Sequence, residues 1–390
     1  MEEHALLSAS SAYRWMTCTP SARFEEAYMD SSGEAAKEGT LAHSLGEITL
    51  KYKLGEMSKR RFNVEFKKIE ANPLFSKDMP DYVETYVDFC MERLSEAKAE
   101  TPDTLYKIEK RLDYSEWVQE GFGTGDFVII SDGSVEVIDL KYGKSPNGRV
   151  SALENKQMRL YALGIISEFG FLYDITNIKM SIVQPRLDNW STDELSADDL
   201  LTWAEEVLRP LAALAFKGEG DYIAGEHCKY CKGNAVCSAR AEANLELMKY
   251  EFSDPNELSK NKISDILGKA DELIKWAKDV QEYAFAQALL GEEIPGWKLV
   301  EGRSNRRWVD ENKIGEILIA EGFLESIIWS RKLTGITNME SALGKKEVVR
   351  LLGDWIEKPQ GKPTLVPEKD KREVFKLSES MLTSIDDDDV

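Results

Sequence analysis

The segment GFGTGDFVIISDGSVEVIDLK, Gly121 to Lys141, reads as two short strands joined by a tight turn. Phe127, Val128, Ile129 and Ile130 lead into Ser131-Asp132-Gly133-Ser134, and Val135, Val137, Ile138 and Leu140 follow. Asp-Gly between two apolar runs is the signature of a two-residue hairpin loop. With Asp132 and Gly133 as that loop, Ser131 pairs with Ser134 and Ile130 with Val135, and counting down the ladder sets Asp126 across from Asp139. Side chains alternate along a strand, so Lys141 shares a face with Asp139. Like charges directly opposite each other destabilise a sheet, and a divalent cation held by oxygen ligands would offset that repulsion. Taken alone, the segment reads equally well as a solvated hairpin end decorated with charges.

Working upstream, a strand is expected over Leu105 to Leu112, and before it an amphipathic helix from about Asp81 to Ala99 with Val83, Tyr86, Val87, Cys90 and Leu94 on its apolar face. Cys90 is therefore a core residue. Residues 53 to 80, with Lys59, Arg60 and Arg61, read as basic and irregular. From Gly33 to Tyr52 the pattern is helical, and Leu41, Leu45, Ile48 and Tyr52 form the apolar stripe. A second stripe carries Gly39, His43 and Glu47 as successive i, i+4 neighbours, so an imidazole and a carboxylate project together. A glycine inside a helix costs about 1 kcal/mol relative to alanine, and the expectation is that Gly39 admits a closely approaching backbone. The bland reading of His43 and Glu47 is a surface hydrogen-bonded pair. Near the start, LLSASSAYRWMTCTPSARFEEAY reads as a short capped helix with Cys18 at its end.

Downstream of Lys141, a helix is expected from about Ala152 to Glu168, with Gln157 and Tyr161 on one face. Lys141, Lys144, Arg149, Lys156 and Arg159 face a single acid, Glu154, over this stretch, a basic track that suits a phosphate backbone as well as it suits a solvated helix face. Lys144, Arg149, Lys156 and Arg159 are the candidate DNA contacts. A strand over Ile178 to Val183 and a capped helix over Ser191 to Phe216 lead to EHCKYCKGNAVCSAR. Here Cys228, Cys231 and Cys237 are spaced C-x2-C-x5-C, which points to metal or cluster ligation. A fourth ligand is needed. The candidates are Cys18, His227 and Cys90, of which Cys18, in its own turn, is the best.

The remaining chain reads as a helix-rich region over 250 to 358. It has a long helix from Ser253 to Leu290, a strand and basic turn carrying Arg303, Arg306 and Arg307, helices over Asn312 to Ala320 and Ser341 to Leu352, and a short Trp355 region. The acidic tail, 359 to 390, is expected to be disordered.

At 390 residues and 42% hydrophobic content, the chain has room for one large core or for two to three domains. No apolar run is long enough to span a bilayer and MEEHALLSAS has no signal-peptide pattern, so the expectation is a cytoplasmic protein with no membrane partner. Five cysteines, an odd number, argue against a secreted disulfide framework. The net charge of -20 argues against a protein that coats nucleic acid generally, while leaving a local basic track open.

Four separated motifs line up in one order: Gly39-x3-His43-x3-Glu47, Gly123-x2-Asp126, Asp139-x-Lys141 and Gln157-x3-Tyr161. Together they resemble the PD-(D/E)XK nuclease superfamily in its RecB-like branch. The early cysteine followed by C-x2-C-x5-C is similar to the iron-sulfur subset of that branch, which includes CRISPR adaptation exonucleases and AddB-type helicase-nucleases. The resemblance implies an α/β fold with a restriction-endonuclease-like core, a mixed central sheet flanked by helices over 1 to 245, and a helical C-terminal region.

It also implies a Mg2+- or Mn2+-dependent deoxyribonuclease. His43, Glu47, Asp126, Asp139 and the Leu140 carbonyl would hold the cation, Lys141 would act on the attacking water, and Gln157 and Tyr161 would position the phosphate or the lysine. Cys18, Cys228, Cys231 and Cys237 would hold a 4Fe-4S cluster, with Zn2+ as the alternative. Cys18-Thr19-Pro20 replaces that subset's Cys-Pro dipeptide. The part from 250 onward looks like a family of phage and prophage proteins of unassigned function found near replication genes. Together the resemblances imply DNA as partner, an exonuclease role in phage replication or recombination, contact with other proteins of that process, and an oligomer as one option. The alternative role is a DNA-end-binding or recombination accessory protein that does not cut.

Overall fold

A computed structural model describes residues 5–28, 33–145, 148–246, 260–298, 311–320 and 344–352, with residues 329, 336, 340 and 356. Its centre is a five-stranded sheet in the order β1-β2-β3-β4-β5, made of β1 (Leu105–Asp113), β2 (Phe122–Ser131), β3 (Ser134–Leu140), β4 (Asn177–Gln184) and β5 (Asn189–Ser196). The β1–β2, β2–β3 and β4–β5 pairs are antiparallel, whereas β3 and β4 are parallel. Parallel neighbours need a crossover, and α6 (Lys156–Phe169) supplies it.

The Asp-Gly turn sets the register expected from the sequence. Ser131 pairs with Ser134, Ile130 with Val135 and Phe127 with Ile138, so Asp126 and Asp139 come next at the open end. Gly133 takes a φ of 83°, a left-handed conformation that glycine adopts without a Cβ penalty. Alternation then divides the hairpin between two cores. Val128, Ile130, Val135 and Val137 pack with α6, α1 (Ala12–Thr17), α7 (Ala197–Trp203) and α8 (Arg209–Lys217). Phe127, Ile129, Ile138 and Leu140 pack on the other face with α3 (Glu34–Lys53), α4 (Lys59–Glu70) and α5 (Met79–Glu100). Helices thus cover both faces of a mixed sheet, an α/β fold.

Three expectations are corrected. The basic stretch after Tyr52 contains α4: Ser58 accepts from the Arg61 amide as N-cap, and Phe62, Phe66 and Ile69 form an apolar stripe in which Phe62 stacks on Tyr52 and Phe66 meets Phe75 edge-on. The stretch from Ser191 begins as β5, not as a helix. It is a polar edge strand with alternating exposure, pinned to β4 by the Lys179–Glu194 ion pair, and the helix starts only after the Ser196 cap. At Gly39 no backbone approaches, since a Cβ there would meet nothing within 4 Å. The close approach falls instead at Gly123, where a Cβ would lie 2.7 Å from the Tyr161 ring and 3.2 Å from Ala9 Cβ. That glycine lets α6 settle onto β2.

Two compact units divide the chain at Val300, and the first includes α9 (Ser238–Leu245) and α10 (Lys260–Leu289). In the second, the described helices are Glu311–Ala320 and Lys345–Leu352. The expected basic turn with Arg303, Arg306 and Arg307, the Trp355 region and the acidic tail lie outside the described residues.

Candidate active site and cysteine cavity

The open end of the hairpin lies between α3 and α6. Asp126 and Asp139 are 7% and 1% exposed, and each is tied to its surroundings. The Leu140 backbone N–H donates to Asp126 Oδ2 at 2.7 Å, so Leu140 meets this site through its amide. From α3, His43 Nδ1 lies 3.2 Å from the same carboxylate oxygen. From α6, Gln157 makes three contacts: Oε1 accepts from Lys141 Nζ at 2.9 Å, and Nε2 donates to Asp139 Oδ1 at 3.3 Å and to Tyr161 Oη at 2.9 Å. The amide thereby turns its oxygen to the lysine and its nitrogen to two acceptors. Lys141 Nζ also lies 2.7 Å from Asp139 Oδ2, an ion pair whose angle is not that of a hydrogen bond, so this buried oxygen has no hydrogen-bond donor.

A third carboxylate joins them that sequence reasoning did not single out. Glu109 sits in β1, where pairing passes from Ile108–Phe127 to Lys110–Gly125 and leaves Glu109 opposite Asp126. Its φ is 47°, a left-handed conformation that few residues other than glycine adopt and that costs on the order of 1–3 kcal/mol. His43, Glu109 and Asp126 each offer a ligand atom, all within 4.8 Å of one another. Glu47, one turn beyond His43, pairs with Lys51.

Electrostatics reflect this crowding. Burial works against a charged His43, but the Asp126 carboxylate beside it, with Asp139 further off, raises its pKa to about 9. Burial and then the Asp126 charge push Glu109 up to about 8. Burial also raises Asp139 above the usual carboxylate range, while at Asp126 the His43 contact and the Leu140 amide outweigh burial and lower it. Tyr161 is pushed well up, by burial first and the nearby Asp139 charge second. Protons are retained where carboxylates converge, which is where a cation would be favoured in their place. Carboxylates with one imidazole, and the Asp139 Oδ2 that lacks a donor, fit a hard or borderline divalent ion such as Mg2+ or Mn2+.

The candidate DNA contacts fall into two groups. Lys144 and Arg149 are exposed on the loop before α6, with Arg149 Nη2 donating to the Leu187 carbonyl at 2.9 Å. Lys156 and Arg159 are half-buried and lie over the Trp203 ring at 5.6 and 5.2 Å, where they contribute cation–π packing between α6 and α7.

A second cluster lies apart from the sheet end. Cys18, Cys228, Cys231 and Cys237 line one cavity together with Arg14 and Arg240, whereas Cys90 is fully buried in the α3–α5 core. The early turn reaches the late cysteines through specific ties. Arg14 holds Glu25 Oε2 at 2.7 Å and the Tyr230 carbonyl at 3.0 Å, Glu25 Oε1 accepts the Lys232 amide at 2.7 Å, and Thr19 Oγ1 donates to the Glu219 carbonyl at 2.6 Å. His227 uses Nε2 on the Ile223 carbonyl at 2.8 Å. Burial first, then the Glu25 charge, raises the Cys231 thiol to about 12. The donor set is four free thiols at one cavity, which suits a thiophilic metal or an iron-sulfur cluster.

Fold and site together define an α/β protein with a carboxylate–imidazole–lysine cluster at the end of its sheet and a separate cysteine cavity. Residues 4–373 match the family described as "Protein of unknown function (DUF2800)", and the chain belongs to that family. Among solved structures it is similar to one titled "Crystal structure of SSO0001", at 16% identity over 50% of this chain and 95% of that one, with a TM-score of 0.24. Among the described residues no helix is long and apolar enough to cross a membrane.

Proposed function

We propose that the protein is a metal-dependent deoxyribonuclease of the PD-(D/E)XK type, cutting DNA from its ends in phage replication or recombination. The observation that carries this reading is the single side chain of Gln157, which joins Lys141, Asp139 and Tyr161 while His43, Glu109 and Asp126 converge beside them. A binding surface has no need of acids where phosphate must approach. A hydrolytic centre does.

In this reading Asp126, Asp139, His43 and Glu109 hold a divalent cation, with Glu47 near them on α3. When bound, Mg2+ or Mn2+ supplies Lewis acidity at the scissile phosphate and lowers the pKa of a coordinated water. Lys141 Nζ, held by Gln157 and Asp139, donates to the attacking water and to the phosphate oxygen on which charge develops. Gln157 keeps that ammonium in place, and Tyr161 keeps the amide from turning over. Lys144 and Arg149, exposed beside the site, contact the backbone of the incoming strand. Cys18, Cys228, Cys231 and Cys237 hold a 4Fe-4S cluster or Zn2+ that ties the N-terminal turn to the end of the core.

The test is incubation of end-labelled linear DNA and covalently closed circular DNA with anaerobically purified protein in Mg2+, Mn2+ or EDTA. Loss of label from linear DNA, dependent on the cation and sparing circles, is the expected result. No cleavage of either substrate by cluster-loaded protein overturns the nuclease reading in favour of a DNA-end clamp.

A further inference from the structure

Arg240 on α9 is a fully enclosed guanidinium, 1% exposed, and it borders the cysteine cavity. Its Nε donates to Glu272 Oε1 at 2.7 Å, and its Nη1 donates to Asp279 Oδ2 at 2.6 Å and the Asn234 carbonyl at 3.3 Å. Among the described residues, Nη2 has no hydrogen-bond partner. The other arginine at the cavity, Arg14, is engaged through Nε, Nη1 and Nη2 by Glu25 and the Tyr230 carbonyl. Both N–H groups of this buried Nη2 are therefore unmatched among the described residues, on a side chain otherwise clamped by two acids of α10.

Buried donors are rarely left unmatched, and the chemistry of the cavity supplies a match. A thiol is a weak acceptor, but a metal-bound thiolate is a good one. Four thiolates around Zn2+, or around an oxidised 4Fe-4S cluster, leave a net charge of about −2 that a neighbouring guanidinium offsets. Glu272 and Asp279 are a little under two helical turns apart, so they hold the guanidinium along one face of α10.

We propose that Arg240 couples the loading of the cysteine centre to the docking of α10. Its free Nη2–H is the donor that a metal-bound thiolate accepts, and its remaining N–H groups fix α10 against the wall of the same cavity. This rests on the cysteine-centre reading above and extends it. An empty centre leaves α10 anchored to a guanidinium whose Nη2 has no acceptor. A loaded one supplies an acceptor to it, so the long helix senses whether the centre is filled.

The test is amide hydrogen exchange across 260–289 in the 390-residue chain, stripped of metal, loaded with Zn2+, or reconstituted anaerobically with iron and sulfide. Loading is expected to slow exchange around Asp279 by about tenfold, a local-stability gain of about 1.4 kcal/mol. In Arg240→Gln the four cysteines still load, but exchange in α10 no longer responds. Asp279→Asn touches nothing in the cavity, yet coupling is reciprocal, so it is expected to weaken Zn2+ affinity by the factor by which it reduces the exchange response. Uptake of neither Zn2+ nor a cluster by the wild type overturns the cysteine-centre reading and this proposal with it. Normal loading with unchanged α10 exchange overturns the role of Arg240 alone, as does wild-type Zn2+ affinity in Asp279→Asn.

Discussion

Asp126→Ala is expected to lower metal-dependent cleavage by about a thousandfold or more, and to weaken Mn2+ binding measured by calorimetry in the absence of DNA. Removing one ligand from a hydrolytic centre disturbs both the charge that holds the cation and the geometry that aims it. Here the loss is compounded. Asp126 is the common partner of His43, of the Leu140 amide and, across the β1–β2 ladder, of Glu109. Its substitution removes the nearest counter-charge of His43 and the neighbour that Glu109 is bent to meet. The fold has no comparable dependence on this residue, because the hairpin is held by Phe127 to Ile130 in two cores. Near-native circular dichroism with lost cleavage and lost Mn2+ affinity is the expected pattern. Undiminished cleavage would remove Asp126 from the mechanism.

The second large effect falls at the cysteine cavity. Cys18→Ser is expected to abolish loading of the cysteine centre and to lower the midpoint of thermal unfolding by roughly 3–5 °C, as loss of about 2–3 kcal/mol from a unit of this size would do. In the proposed cysteine centre Cys18 would close a loop of about two hundred residues onto Cys228, Cys231 and Cys237, so its loss would free the unfolded chain more than loss of a local thiol would. Cys90→Ala is the control. Its sulfur lies in the α3–α5 core, away from the cavity, so that variant loses packing but keeps its metal. Iron, sulfide and zinc content, together with the melting curve, separate the two. Full loading of Cys18→Ser would exclude Cys18 as a ligand.

The hairpin register was legible because an Asp-Gly turn fixes it and a one-residue slip would exchange the two cores. His43 was legible because i, i+4 spacing on a helix is geometry rather than preference. Glu109 was not. In Tyr106-Lys107-Ile108-Glu109-Lys110-Arg111 it reads as one more outward charge on an amphipathic strand, and only its left-handed backbone opposite Asp126 brings it into the site. No short-range pattern announces such a conformation at glutamate. The second helix of the α3 face did leave a signal in Ser58 and the Phe62–Phe66–Ile69 spacing, which the basic composition of the segment masked. Edge strand β5 left little, because Asn189 to Ser196 is polar on both faces and its role is set by β4 beside it. The expectation for Gly39 failed for another reason: a glycine in a helix can be merely tolerated, and close packing falls at other glycines, Gly123 under the Tyr161 ring among them.

The central claim is that this carboxylate–lysine cluster cuts phosphodiester bonds, rather than only holding a cation near DNA. Lys141 separates the two, because it stands beside the cation-holding residues and is bound by Gln157 and Asp139. The direct measurement is single-turnover cleavage of labelled linear DNA in Mn2+ by the wild type and Lys141→Ala, each first shown by calorimetry to bind Mn2+. The expected result is Mn2+ binding in both proteins and cleavage only by the wild type. Cleavage by Lys141→Ala at the wild-type rate would contradict the account.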